Sequence, residues 1–278
     1  MSAIKSILVH LDASPRCEVR LQAALRIARQ HGAELKALYS VVPQVLQVPS
    51  DAAFNALLLE QLDAADKSRR FAIRTMFDRT VAGDSLPVTW LDPMEASSIR
   101  TFARHALYAD LVVLGQRDQD DLSERGVPGD FVQSVLLDTG KPVLIVPYIG
   151  VQADVGGTIM VAWKETRETA RAVAAALPML RRAERVHIAT WGKEQAAEDW
   201  RLADLVHYLG QHGVQATLHR NGEETDSIGE YILSAGADLG ADMLLMGAYG
   251  HSRAREWVLG GATRTILESM TLPVLMSH

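Results

Sequence analysis

The chain has 278 residues, 48% apolar and 22% charged, with a net charge of −6 and one cysteine. This is the balance of a globular protein large enough for two ordinary domains, and a single thiol leaves no internal disulfide. The acidic charge argues against a nucleic-acid binder working by broad phosphate neutralisation. No run approaches 18 apolar residues and no signal-like segment precedes the first strand, so no membrane span and a cytoplasmic location are expected.

The elements read in order. Ile7–Leu11 is a short, partly β-branched apolar run, suited to a buried strand. Ser14 and Pro15 predict a helix start, Ser14 as cap and Pro15 in the first turn. Leu21, Ala24, Leu25 and Ala28 form its apolar stripe, and His31-Gly32 ends it. Cys17 falls on this helix as a packing residue. Leu35–Val42 is the second strand, 54–79 a long helix, Pro87–Leu91 the third strand and Ala96–Ala106 a helix. Leu111–Leu114 is the fourth strand, Gly129–Thr139 the last helix, and Val143–Val146 closes the half.

The second half repeats the first. Strands are predicted at 158–162, 186–190, 215–218, 243–246 and 274–276, and helices at 168–180, 198–211, 227–239 and 261–269. Asp110-Leu-Val-Val-Leu-Gly115 returns as Asp242-Met-Leu-Leu-Met-Gly247, and Lys141-Pro142-Val143-Leu144 returns as Leu272-Pro273-Val274-Leu275. A repeat of this kind sets the architecture before any other consideration. Apolar strands each followed by a helix imply parallel sheets covered on both faces. The expected domains are 1–150 and 155–278, joined near Tyr148–Gly157.

After its fourth strand the second half reads Gly247-Ala-Tyr-Gly250-His251-Ser-Arg253-Ala-Arg255, and it continues to Gly260-Gly261-Ala262-Thr263. Gly247 and Gly250 permit a sharp turn off the strand, or serve only to shape it. The helix that follows offers free N–H groups and a positive dipole end near Gly260, Gly261 and Ala262, with the Thr263 hydroxyl beside them. His251, Arg253, Arg255 and Arg264 add positive or titratable groups. Together they describe an anion site at a strand's carboxyl end. The pattern is neither a Walker A loop nor a Gly-x-Gly-x-x-Gly dinucleotide signature.

Gly247-x-x-Gly250, nine residues and then Gly260 resembles the signature of the universal stress protein family, with Gly261 where members carry Ser or Thr. The resemblance covers nearly the whole chain as two copies. It implies two tandem Rossmann-like domains of the adenine nucleotide alpha hydrolase-like kind. Each would be an open five-stranded parallel sheet of order 3-2-1-4-5 with helices on both faces. It also implies that some members bind ATP, with Mg accompanying it, and others do not. In binding members an Asp ending strand one lies on the adenine side, a backbone position ending strand two holds the base, and the glycines hold phosphate. Asp12 matches the first feature, and Val41 or Val42 the second. In the second half Lys164 stands in place of the Asp, and Thr190 matches the end of strand two.

The halves depart from the signature in complementary ways. The first keeps Asp12, but Asp118 replaces the second glycine between Gly115 and Gly129. Asp130 there brings a carboxylate that competes with phosphate for the helix N–H groups. The second keeps the glycines and loses the Asp. The second half is therefore the expected adenine-nucleotide site. Asp120, Asp121 and Glu124 read as a solvated acidic loop.

No catalytic constellation or metal-ligand spacing emerges, and the nine histidines are scattered. Three readings remain open: a nucleotide-binding stress or signalling protein, an interaction protein of the same fold without nucleotide, and a weak ATPase or nucleotidyl-transferring enzyme. The final strand is an expected pairing edge. The resemblance implies pairing of the two domains within the chain, and a homodimer.

Overall fold

The computed structural model describes residues 3–48, 56–93, 99–118, 126–151, 155–192, 196–221, 227–250 and 261–278. Backbone contacts divide the chain into two units, Ile4–Lys141 and one built on Pro142–His278.

The first unit contains β1 (Ser6–Leu11), α1 (Cys17–His31), β2 (Glu34–Tyr39), a 3-10 turn (Gln44–Gln47) and α2 (Ala56–Val81). It continues through β3 (Val88–Leu91), α3 (Ile99–Ala106), β4 (Leu111–Gly115) and α4 (Phe131–Thr139). Its strands run in the order β3-β2-β1-β4, all parallel. Ile7, Leu8, Val9 and Leu11 of β1 are fully buried, as are Leu111 to Leu114 of β4. Near-continuous apolar runs therefore occupy the centre, where both faces of a parallel sheet are covered. Gly32, with φ 59°, caps α1 in the left-handed conformation and returns its N–H to the last turn.

Ser14 does not cap α1. The helix begins at Cys17 after Arg16, which makes no side-chain cap, and the Ser14 hydroxyl donates to Asp12 instead. Ser14 lies in the turn ahead of the helix, where its carbonyl accepts the Cys17 N–H at 3.1 Å, too early in the chain for its hydroxyl to cap the first turn.

The second unit contains β5 (Val143–Val146), β6 (Thr158–Ala162), α5 (Arg167–Leu180), β7 (Arg185–Trp191), α6 (Ala196–Gln211) and β8 (Thr217–Asn221). It ends with α7 (Ile228–Asp238), β9 (Met243–Gly247), α8 (Gly261–Ser269) and β10 (Val274–Ser277). Parallel strands run β10-β9-β6-β7-β8, which is the 3-2-1-4-5 order. Strand β5, the last of the first repeat, is grouped here because it pairs antiparallel with β10, Leu275 opposite Leu144. The architecture is an open α/β fold dominated by parallel strands, with helices on both faces. No helix among the described residues is long and apolar enough to cross a membrane.

The repeated aspartates have a structural reason. Asp110 accepts the backbone N–H groups of Lys5 (2.8 Å) and Ser6 (3.0 Å). Asp242 accepts those of Gly156 (2.7 Å), Gly157 (3.0 Å) and Thr158 (2.9 Å). Each ties the start of its repeat's first strand to the start of the fourth. Asp242→Ala orphans three amides and is expected to cost about 2 kcal/mol of unfolding free energy, read by urea denaturation. A loss below about 0.5 kcal/mol would mean that water replaces the carboxylate without penalty.

Candidate functional site

In the first repeat the end of β1 carries a buried charge network. Asp12 (3% exposed) accepts the Ser14 N–H at 3.0 Å and the Ser14 hydroxyl at 2.7 Å. Its other oxygen lies 2.8 Å from Nη2 of Arg20, itself 4% exposed on α1. The approach lies off the N–H axis, so the contact is an ion pair rather than a directed hydrogen bond. Burial would raise the Asp12 carboxyl, but Arg20, then His10 and Ser14, hold it down at about 2. His10 donates from Nε2 to the Ser40 carbonyl at 2.7 Å and packs against Phe102 and Phe131. Burial pushes its pKa down to about 4, outweighing the attraction of Asp12. The Cys17 thiol is buried at the start of α1 and pushed up to about 11, chiefly by desolvation, so it is not a nucleophile at neutral pH.

Arg20 also covers Gly115. A Cβ on Gly115 would stand 2.2 Å from Arg20 Nη1, so the guanidinium fills the space beneath the strand end. The Val42 N–H, at the position matched to base recognition, donates to the Gly126 carbonyl at 2.7 Å, and Gly126 packs against Val41. The Arg117 guanidinium lies against Gly129, ahead of α4. Asp130 precedes α4 and accepts the Ser134 hydroxyl at 3.1 Å. Asp12 and Gly115 thus share Arg20, Val41 and Val42 meet Gly126, and Gly129 meets Arg117, each engaged by the protein's own groups. Asp120, Asp121 and Glu124 lie outside the described residues.

In the second repeat the strand ends are built differently. Lys164 is exposed in the turn between β6 and α5. Thr166 caps α5 through its hydroxyl, accepting the Thr169 N–H. Gly247 presses directly on that first turn. A Cβ there would stand 2.5 Å from the Thr169 nitrogen and 2.8 Å from the Glu168 carbonyl carbon. Gly250 faces the same turn, where a Cβ would meet Glu168 Oε2 at 3.2 Å and the Thr166 hydroxyl at 3.5 Å. Glu168 is 2% exposed and pairs with Arg167. Burial raises its pKa, and the bonds from Arg167 and the helix amide more than offset that, leaving it lowered. Between the glycines Tyr249 holds φ 56°, which a side chain rarely adopts, and its hydroxyl is buried without a partner.

Gly261, Ala262 and Thr263 form the first turn of α8. Thr263 is buried, whereas Gly261 is exposed and a Cβ there would meet no described residue within 4 Å. The Thr190 carbonyl, near the end of β7, accepts Asn221 Nδ2 at 3.4 Å. His251, Arg253, Arg255 and Gly260 lie outside the described residues.

Sequence reasoning missed Arg20 and Glu168. Each is a charged residue on an otherwise buried stripe, Cys17-Arg20-Leu21-Ala24 and Glu168-Thr169-Ala172-Val173. A charge at such a position signals a partner or a site. The His187–His219 contact across β7 and β8, Nδ1 to Nε2 at 3.0 Å, was also hidden by sequence distance. Among the described residues no group of three His, Cys, Asp or Glu is arranged to hold a metal.

The profile of the Universal stress protein family matches residues 3–147, just over half of the chain. The chain belongs to this family. A universal stress protein of Synechocystis sp. is 26% identical over 178 residues, 60% of this chain and 57% of that protein. The match therefore spans little more than half the length of that curated relative. Among solved structures, a universal stress protein from Archaeoglobus fulgidus superposes with a TM-score of 0.73 at 15% identity, covering 98% of this chain and 95% of its own. One described as a putative universal stress protein from Pseudomonas aeruginosa gives 0.59 at 17% identity, over 99% and 93%. At these identities the family member in hand shares their fold.

Proposed function

We propose that the chain is an adenine-nucleotide-binding stress or signalling protein whose ligand sits in the second repeat, domain 155–278, while domain 1–150 is a filled counterpart. The observation that carries this reading is the contrast between the helix starts. Arg117 lies against Gly129 in the first repeat, whereas in the second Gly261 is exposed and no described residue stands within 4 Å of a Cβ built there. The first-turn amides of α8 suit phosphate oxygens, and the exposed Lys164 adds positive charge after β6. The first repeat's matching groups are committed to Arg20, Gly126 and Arg117.

The test is adenine absorbance released from heat-denatured protein, together with ATP affinity measured by titration. ATP binding is expected for the intact chain and to fall at least tenfold in Gly261→Asp, which sets a carboxylate where phosphate would lie, with little change in fold. Unchanged affinity in that variant would remove the second repeat as the site.

A second reading, an interaction protein without nucleotide, draws on Glu168. A buried carboxylate against Gly250 repels phosphate at the glycine turn. Glu168→Gln separates the two readings. Under the first, ATP binding tightens by about three- to tenfold and AMP binding by less. Under the second, neither binds.

A further inference from the structure

On α1, Gln22, Leu25, Arg26 and Arg29 share one stripe, and with Arg79 and Thr80 of α2 they line a groove of about 390 Å³ that also includes Glu18. Three arginines meet a single carboxylate in this lining. Arg79 is neutralised by Glu18 at 2.9 Å, and Thr80 also donates to Glu18 at 3.4 Å. Arg29 is drawn to Asp84 at 2.6 Å. Arg26 is different. Its Nε and Nη2 are buried and have no hydrogen-bond acceptor.

Those two atoms form one edge of the guanidinium, the edge whose parallel N–H groups match two oxygens of a carboxylate or phosphate. Donors buried without an acceptor carry a desolvation cost that an anion would remove. Leu25 is the sole apolar residue in the lining, so the groove suits a polar ligand, and its volume falls in the range of small-molecule sites. Arg26 is half-buried and lines the groove, so the proposed contact requires its flexible side chain to turn the covered edge toward the anion.

We propose that the α1–α2 groove binds a small soluble anion presenting a carboxylate or phosphate group, with Arg26 as the two-pronged donor. This site is separate from the glycine turns and stands without the nucleotide reading.

The experiment uses the full chain at constant ionic strength, with inorganic phosphate and succinate as probes. Each is titrated while the Arg26 Nε–H resonance is followed by ¹⁵N NMR, the peak assigned by its loss in Arg26→Lys. At least one probe is expected to move the resonance saturably, and the tighter one identifies the anion class. In calorimetry, Arg26→Lys, which keeps the charge and removes the fork, and Arg26→Gln are expected to bind that probe at least tenfold more weakly. A resonance unmoved by both probes, a shift that never saturates, or equal affinity in Arg26→Gln overturns the proposal. The shift itself is read on the native protein, and should Arg26→Lys fail to fold, loss of the peak in Arg26→Gln supplies the assignment.

Discussion

Asp12→Asn is expected to lower the unfolding free energy by about 3–5 kcal/mol, because it leaves the Arg20 guanidinium buried without its counter-ion. Urea denaturation measures the loss. The double change Asp12→Leu with Arg20→Met removes both charges and is expected to recover most of it, since a buried pair is dearer to break than to replace. A single-variant loss under about 1 kcal/mol would place Arg20 in contact with water and contradict the buried network. The same network sets an acid limit. Unfolded His10 takes a proton near its ordinary 6.5 and folded His10 only near about 4, so the unfolded state binds more protons between those values. Stability therefore falls as pH drops through that window, by roughly 3 kcal/mol in full. Asp12, held at about 2 against an ordinary 3.8, adds a further loss as pH falls from 3.8 toward 2. In His10→Phe the upper part of this slope is expected to flatten, and an unchanged slope would assign it to other groups.

Gly247→Val is expected to cost about 3 kcal/mol or more, because its Cβ meets the Thr169 and Glu168 backbone rather than a movable side chain. Helix α5 would have to lift from β9. Gly261→Ala, on the first turn of α8 with no described residue near its Cβ, is expected to be neutral or slightly stabilising. Thermal melts of the two variants side by side check the contrast. Equal effects would mean that the glycines share one role. The structure instead separates them, with Gly247 pressed on the α5 backbone and Gly261 meeting no described side chain.

The fold was legible because the chain states it twice. Apolar strands such as Leu8-Val9 and Leu244-Leu245 alternate with helical stripes, and that pattern admits only a covered parallel sheet. Element ends were less legible. Ser14-Pro15 read as the helix start because the sequence does not display the extra turn that delays the helix to Cys17. The site was half legible. The Gly-x-x-Gly spacing marked the strand end where Gly247 and Gly250 meet the first turn of α5, and Asp118 and Asp130 marked the first repeat as divergent. What the spacing could not express is which three-dimensional neighbour fills each glycine's empty side. Arg20 reaches Gly115 from α1, and Glu168 reaches Gly250 from α5, each far away in sequence. Both stood out only as charges on buried stripes.

Equilibrium dialysis of the intact chain against saturating ATP tests the asymmetry of the two repeats most directly. The proposed arrangement predicts about one nucleotide bound per chain, kept in Asp12→Asn under folding conditions and lost in Gly261→Asp. Two nucleotides per chain, or loss in Asp12→Asn with retention in Gly261→Asp, would contradict it.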